Sequence, residues 1–177
     1  AVYETRFLTH APLEVVADFH HDTRSLKRLT PPPVYVQLEK IEPLGENSIS
    51  KFTLWFGPIP IHWTAVHHNV DPLHGFTDIQ QNGPMQYWRH THSFSSFGSD
   101  CTQIIEHIEY AHFPGTRGWI THVLFSQFSL RLMFLTAGWQ QTPPSEKNPF
   151  FHIPRAIVDK CFLAEYTRPL LLITYLS

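Results

Sequence analysis

The chain is poor in cysteine, glycine and charge, and it lacks any long apolar run. Its two cysteines, Cys101 and Cys161, stand far apart and form no CxxC unit, so we predict no disulfide framework and expect a reducing, cytoplasmic compartment. No apolar run reaches the roughly 18 residues that span a bilayer, so no integral membrane segment is expected. The 8 glycines form no GxGxxG or Walker loop, and no cofactor is predicted.

An excess of charge of either sign is missing too. The chain has 13 Lys plus Arg against 15 Asp plus Glu, which gives a formal net charge of -2. The densest basic group, Arg24, Lys27 and Arg28, is typical of a solvated helix face, so nucleic acid is not expected as a partner. What the 177 residues do contain is 42% hydrophobic and 14% aromatic residues, enough for the core of one domain, and 13 histidines.

The residue pattern predicts an α+β domain that begins with one strand and two short helices. Alternation favours a strand over 2–9, and helical spacing favours helices over 10–22 and 22–29. After three prolines at 31–33 the pattern is that of strands joined by short turns, which indicates an antiparallel meander. The six further strands are predicted at Val34–Ile41, Asn47–Phe56, Ile61–Val70, Phe76–Gln81, Tyr87–Ser96 and Thr102–Phe113.

From Thr116 onward the spacing of apolar residues is helical for roughly 20 residues or more. We expect one long C-terminal helix that packs on the concave face of a curved sheet of about seven strands. Residues 1–140 are thus predicted to form one domain, and residues 141–177 a C-terminal extension. Two alternatives stay open for this extension: it covers the mouth of a pocket, or it mediates a homodimer.

Four stretches carry a resemblance to a known superfamily. They are RLTPP at 28–32, FGPIPIHWTAVHHNVDP at 56–72, GFTDIQQNGPMQYWRHTHSF at 75–94 and TQIIEHIEYAHFPG at 102–115. Together with the order of elements, they resemble the START-like or SRPBCC superfamily, which has a helix-grip fold like that of the birch-pollen allergen. The similar branch is that of polyketide cyclases/dehydrases and coenzyme-Q-binding proteins. The resemblance covers residues 2 to about 140 and implies an internal hydrophobic cavity.

Strand parity predicts which side chains face that cavity. On the last strand the more apolar set includes Glu106 and Tyr110, and on the strand before it the same reasoning selects Trp88, His90, His92 and Phe94. Asp78 lies on the preceding strand, Phe76–Gln81. The predicted catalytic residues are His90, His92, Glu106 and Asp78. The predicted ligand-binding residues are Phe52, Leu54, Trp63, His67, Phe76, Gln80, Trp88, Phe94 and Tyr110.

Buried carboxylates beside histidines suit general acid–base catalysis, because such groups titrate near neutral pH. Three other interpretations stay open: the cluster only fixes the fold, it holds the polar end of a ligand, or His90, His92 and Glu106 bind a metal ion. No metal is predicted, since HxH alone is a weak pattern. His20 and His21 end a helix, where a cation suits the dipole, so a structural role is expected for both.

The sequence and the resemblance together predict a protein that encloses a polyketide- or isoprenoid-like molecule. We expect an enzyme that catalyses a cyclisation, dehydration or isomerisation by acid–base chemistry without a cofactor. In this interpretation His90 or His92 is the base, and Glu106 or Asp78 orients it or acts as the acid. The alternative is a non-catalytic carrier of a lipid, quinone or sterol.

Overall fold

The computed structural model describes residues 1–98 and 100–140, and it describes side chains up to residue 134. The predicted extension at 141–177 lies outside the described residues, so it stays a prediction together with the homodimer. Seven strands are present, and the predicted order of elements is confirmed. The strands are β1 (Val2–Thr9), β2 (Val34–Ile41), β3 (Ile49–Phe56), β4 (Ile59–Asp71), β5 (Gly75–Asn82), β6 (Tyr87–Ser96) and β7 (Thr102–Ala111).

The strands form one antiparallel sheet in the order β1-β7-β6-β5-β4-β3-β2. β1 and β2 are the two edges because β1 pairs with the last strand rather than with the second. Burial alternates strictly along β7, where Thr102, Ile104, Glu106, Ile108 and Tyr110 are all buried. The predicted inward set of this strand is therefore confirmed, since a pleated strand sends alternate side chains to opposite faces.

The helices cover the inner face of the sheet. Helix α1 (Leu13–His21) is followed by a 3₁₀ turn (Thr23–Ser25) and α2 (Leu26–Leu29). Near the C-terminal end of the described chain, a second 3₁₀ turn (Gly115–Gly118) leads into α3 (Trp119–Leu124) and α4 (Gln127–Gln140). The region predicted as one long helix is thus two helices, because the backbone leaves helical geometry at Phe125.

The core has two parts that lie under different helices. Leu130 and Phe134 of α4 pack with Trp63, Trp88 and Ile108 of the sheet. Val16 and Ala17 of α1 belong to a second cluster with Phe76, Phe94 and Ile104. Side chains of both helices, of α2 and of the sheet's inner face enclose a cavity of about 660 Å³.

The compartment expected from the cysteines stays a prediction, because Cys161 lies outside the described residues. Within the described residues, none of the helices has the length and apolar character needed to cross a membrane.

Candidate functional site

Three neighbouring strands bring the four predicted catalytic residues together at the wall of the cavity. Asp78 of β5 lies opposite His90 of β6, and His92 of β6 lies opposite Glu106 of β7. All four side chains line the cavity. The close approach of β5 to β6 depends on Gly75. Its φ is 130°, and an added Cβ would collide with the His92 carbonyl oxygen.

Glu106 is the centre of the cluster. Its Oε2 lies 2.8 Å from Nε2 of His90 and 2.7 Å from Nδ1 of His92. Only the contact from His90 has the angles of a hydrogen bond, and the contact with His92 is an ion pair at close range. Glu106 is 1% exposed, so its charge is balanced by these rings rather than by water.

Asp78 continues the chain of contacts toward β4. Nε2 of His92 donates to Oδ2 of Asp78 at 3.2 Å, and Nε2 of His67 lies 3.1 Å from Oδ1. On its other side, Nδ1 of His67 lies 3.0 Å from the Ser48 carbonyl oxygen. Histidines and carboxylates thus alternate in an unbroken series across four strands, from His67 on β4 through Asp78 and His92 to Glu106 and His90.

The two carboxylates remain ionised. Burial by itself raises the pKa of Glu106, but the charge of His92 and the close contacts from His90 and His92 outweigh it and hold the pKa well below its usual value. The pKa of Asp78 is lowered in the same way: burial raises it, but the hydrogen bond from His92 and the charges of the neighbouring histidines together outweigh burial. Neither carboxylate is therefore a proton donor near neutral pH.

The two histidines of β6 differ in charge although their rings lie only 4.0 Å apart. Burial lowers the pKa of His92, but the charge of Glu106 and the bonds to both carboxylates raise it to about 10. For His90, burial and the charge of His92 outweigh Glu106, so its pKa is lowered. At neutral pH His92 is an imidazolium and His90 is neutral.

The tautomer of neutral His90 follows from its contact with Glu106. A carboxylate only accepts hydrogen bonds, so Nε2 carries the proton and Nδ1 keeps its lone pair. Among the described residues nothing hydrogen-bonds this Nδ1. The cluster therefore presents one basic nitrogen, held in a defined tautomer by a buried carboxylate.

The predicted ligand-binding residues divide into two groups. Six of them line the cavity: Phe52, Leu54, Trp63, His67, Phe76 and Trp88. The other three are not among the lining residues. Phe94 packs against the ring of His20, Gln80 bonds both backbone groups of Met85, and Tyr110 lies in the core beside Trp88.

His20 was assigned a structural role from the sequence, as a cation at a helix end, and the structure corrects the charge. Its ring is 7% exposed, lines the cavity and lies 4.6 Å from Phe94. Burial lowers its pKa to about 4, so it is neutral. The burial of His20 could have been predicted from the sequence, because His20 shares the helix face of Val16 and Ala17. Phe125 and Phe134, two aromatic residues of the C-terminal helical region, also line the cavity.

Asp78, His90 and His92 also have the spacing of a three-ligand metal site, since one ligand atom of each lies within 4.8 Å of the others. The donor set would suit a divalent cation such as Zn²⁺. Against this use, both ring nitrogens of His92 are directed at carboxylate oxygens, and a metal would require His92 to lose its proton.

Comparisons with known proteins give a fold and not a family membership. No protein-family model and no curated protein matches the sequence. Among solved structures, the protein TTHA0849 from Thermus thermophilus is 16% identical with a TM-score of 0.62, over 80% of this chain and 97% of that chain. The Zhui aromatase/cyclase from Streptomyces sp. R1128 is 13% identical with a TM-score of 0.59, over 78% and 92%.

A third similar structure is norcoclaurine synthase from Thalictrum flavum, in complex with dopamine and hydroxybenzaldehyde. It is 20% identical with a TM-score of 0.58, over 78% of this chain and 84% of that chain. These likenesses confirm the predicted fold: the chain has the helix-grip fold of START-like proteins. Proteins of this class share a scaffold while their reactions differ, so function has to be derived from the site.

Proposed function

We propose that the protein binds a hydrophobic small molecule in its cavity and catalyses a cofactor-free acid–base reaction on it. The observation that carries this proposal is the neutral His90, whose Nε2–H is bonded to the buried Glu106 while no described residue bonds its Nδ1. A histidine that is neutral at physiological pH and lies beside aromatic walls suits proton abstraction from an apolar substrate.

The proposed reaction begins when Nδ1 of His90 takes a proton from a carbon next to a carbonyl group. Glu106 stabilises the imidazolium that forms, and the imidazolium of His92, itself paired with Asp78, keeps Glu106 ionised and in place. The enolate then attacks a second carbonyl carbon, or expels a β-hydroxyl group as water, or regains the proton at another carbon. These outcomes correspond to cyclisation, dehydration and isomerisation, and in each of them Nδ1–H of His90 returns its proton.

The similar structures support this class of reaction without identifying the substrate. One of them is an aromatase/cyclase and another is a synthase seen with two aromatic molecules. A polyketide- or isoprenoid-like ligand suits the aromatic lining from Phe52, Trp63, Phe76 and Trp88. The substrate itself is best identified by native mass spectrometry of protein purified from its own source.

The base is tested with 5-nitrobenzisoxazole, an apolar compound that opens when a base removes its C3 proton. The proton goes to the base, the N–O bond breaks, and the product is a coloured cyanophenolate. We expect His90→Gln to lower the rate by about 10²-fold or more, because Gln keeps an N–H near Glu106 but lacks the basic nitrogen. His107→Gln, on the outer face of β7, is the matched control and should keep the wild-type rate.

The pH dependence gives a second readout. Because the pKa of His90 is lowered, the neutral base persists below the ordinary histidine pKa, and the rate should hold its plateau there. Equal rates for wild type and His90→Gln would contradict catalysis. A rate that EDTA abolishes and Zn²⁺ restores would instead favour the metal site.

A non-catalytic carrier is the second candidate. Asp78, His92 and Glu106 hold one another in place, and a fixed polar group of this kind also suits the polar end of a ligand. Binding of 5-nitroindazole, an unreactive analogue, separates the two through the fluorescence of Trp63 and Trp88. In a catalyst, His90→Gln should leave the dissociation constant within roughly tenfold. In a carrier, binding should be lost and no product should form with either protein.

A further inference from the structure

Helices α3 and α4 expose large apolar side chains that a solvated helix does not normally carry. Trp119 is 67% exposed, Val123 55% and Phe128 77%. On its other side α4 buries Leu130 and Phe134 in the core, so the helix is apolar in both directions. Such a helix is expected to have a second apolar environment.

Two of these exposed side chains lie at the cavity, and Trp119 precedes Val123 by one turn on the same face of α3. Val123 and Phe128 line the cavity that contains His90, although both are more than half exposed. Leu26 and Leu29 of α2 line it as well, and α2 is in contact with α4. The cavity therefore reaches solvent between α2 and the α3–α4 segment.

The same two segments carry positive charge alone. Residues 23–34 and 115–134 contain no Asp or Glu, and they contain five basic residues: Arg24, Lys27, Arg28, Arg117 and Arg131. Arg24 is paired with Asp22, and Arg117 stacks on Phe113. Lys27 and Arg28 of α2 are exposed, so they are available to a partner although the whole chain has a net charge of -2. Arg131 is also exposed, but it lies beside Tyr3 and Glu4 of β1.

We propose that this mouth surface, formed by Trp119, Val123, Phe128, Lys27 and Arg28, docks on an anionic lipid membrane. Exposed aromatic and aliphatic side chains next to lysine and arginine are the chemistry of interfacial binding, in which the apolar groups enter the headgroup region and the cations meet acidic lipids. Docking there would place the opening of the cavity against the phase in which hydrophobic molecules dissolve. The inference goes beyond the proposed function, because it holds for a catalyst and for a carrier alike.

The test is co-sedimentation of the full chain with phosphatidylcholine vesicles, with and without phosphatidylserine. We expect binding only when phosphatidylserine is present, and we expect added salt to weaken it. Phe128→Ser and Lys27→Glu should each weaken binding by roughly tenfold. Both positions are exposed, so neither variant is expected to unfold the protein.

Matched controls lie on the outer face of the sheet. Tyr35 of β2 is 61% exposed, and Lys51 of β3 is exposed. Tyr35→Ser and Lys51→Glu remove an exposed aromatic ring and a cation away from the mouth surface, and they should bind vesicles as the wild type does.

Three results would overturn the inference. The first is an absence of binding to either kind of vesicle, and the second is equal binding by Phe128→Ser, Lys27→Glu and wild type. The third is a dimeric mass in solution that Phe128→Ser converts to a monomer, since a second copy would then occupy the surface. None of these affects the 5-nitrobenzisoxazole assay, so the two proposals fail separately.

Discussion

Histidine–carboxylate pairs lie on both faces of the sheet, and the two faces differ in what these pairs can do. On the inner face Glu106 contacts His90 and His92 at 2.8 and 2.7 Å. On the outer face Glu4 contacts His107 at 2.9 Å. Glu106 and His107 are consecutive residues of β7, so one step along a pleated strand separates the two environments.

Burial, and not distance, distinguishes the two groups. The side chain of Glu106 is 1% exposed, whereas those of Glu4 and His107 are 37% and 36% exposed. The pKa of Glu4 is lowered by hydrogen bonds from His107 and Arg6, but water screens the pair, and such exposed ion pairs stabilise little. Only the inner group holds one imidazolium and one neutral histidine side by side.

Of the changes considered, removal of the central carboxylate of Glu106 should lower the free energy of unfolding most. Glu106→Ala leaves His92 buried beside a single counter-ion, and loss of one partner from a buried pair costs about 3–5 kcal/mol. We therefore expect a decrease of that size in the free energy of unfolding, measured by urea denaturation. Glu4→Ala is the matched variant on the outer face and should have a much smaller effect. Equal losses would mean that the inner cluster is as well solvated as the outer pair.

The second prediction concerns alkaline pH. The pKa of His92 is about 10 in the folded protein and 6.5 in its ordinary state, so its contribution to stability is complete below pH 6.5. It is lost as the pH rises toward 10, with a slope of up to about 1.4 kcal/mol per pH unit. Urea denaturation across this range should show the decline, and His92→Gln should remove most of it. A decline that His107→Gln removes instead would assign it to the outer face.

The smallest expected effect is on the acid side and involves His20. Its pKa is about 4 when folded and 6.5 in its ordinary state, so the unfolded chain takes up the proton first. The free energy of unfolding should decrease as the pH falls from 6.5 to 4, by no more than about 1.4 kcal/mol per unit from this group. His20→Phe should flatten this part of the curve. His10→Phe, at an exposed position, should leave it unchanged.

Much of the site was predictable because strand parity is a local property. The alternation of β6 and β7 selected His90, His92 and Glu106 without knowledge of the register, and turn residues placed the strands next to each other. Parity predicted less well where side chains have local partners. Gln80 has the inward parity of Asp78, but its amide bonds the backbone of Met85 in the following turn. The break at Phe125 was not predicted, because apolar spacing continues through it.

The sequence by itself determined the helix-grip order of elements and the set of polar side chains on the inner face, since both follow from periodicity and turns. Only the tertiary structure decided how those side chains share protons. The register of β6 on β7 places Glu106 against two histidines, and the surrounding side chains bury Glu106 almost completely. The charge of His92 and the basic nitrogen of His90 thus depend on contacts between residues distant in sequence, and no local pattern encodes them.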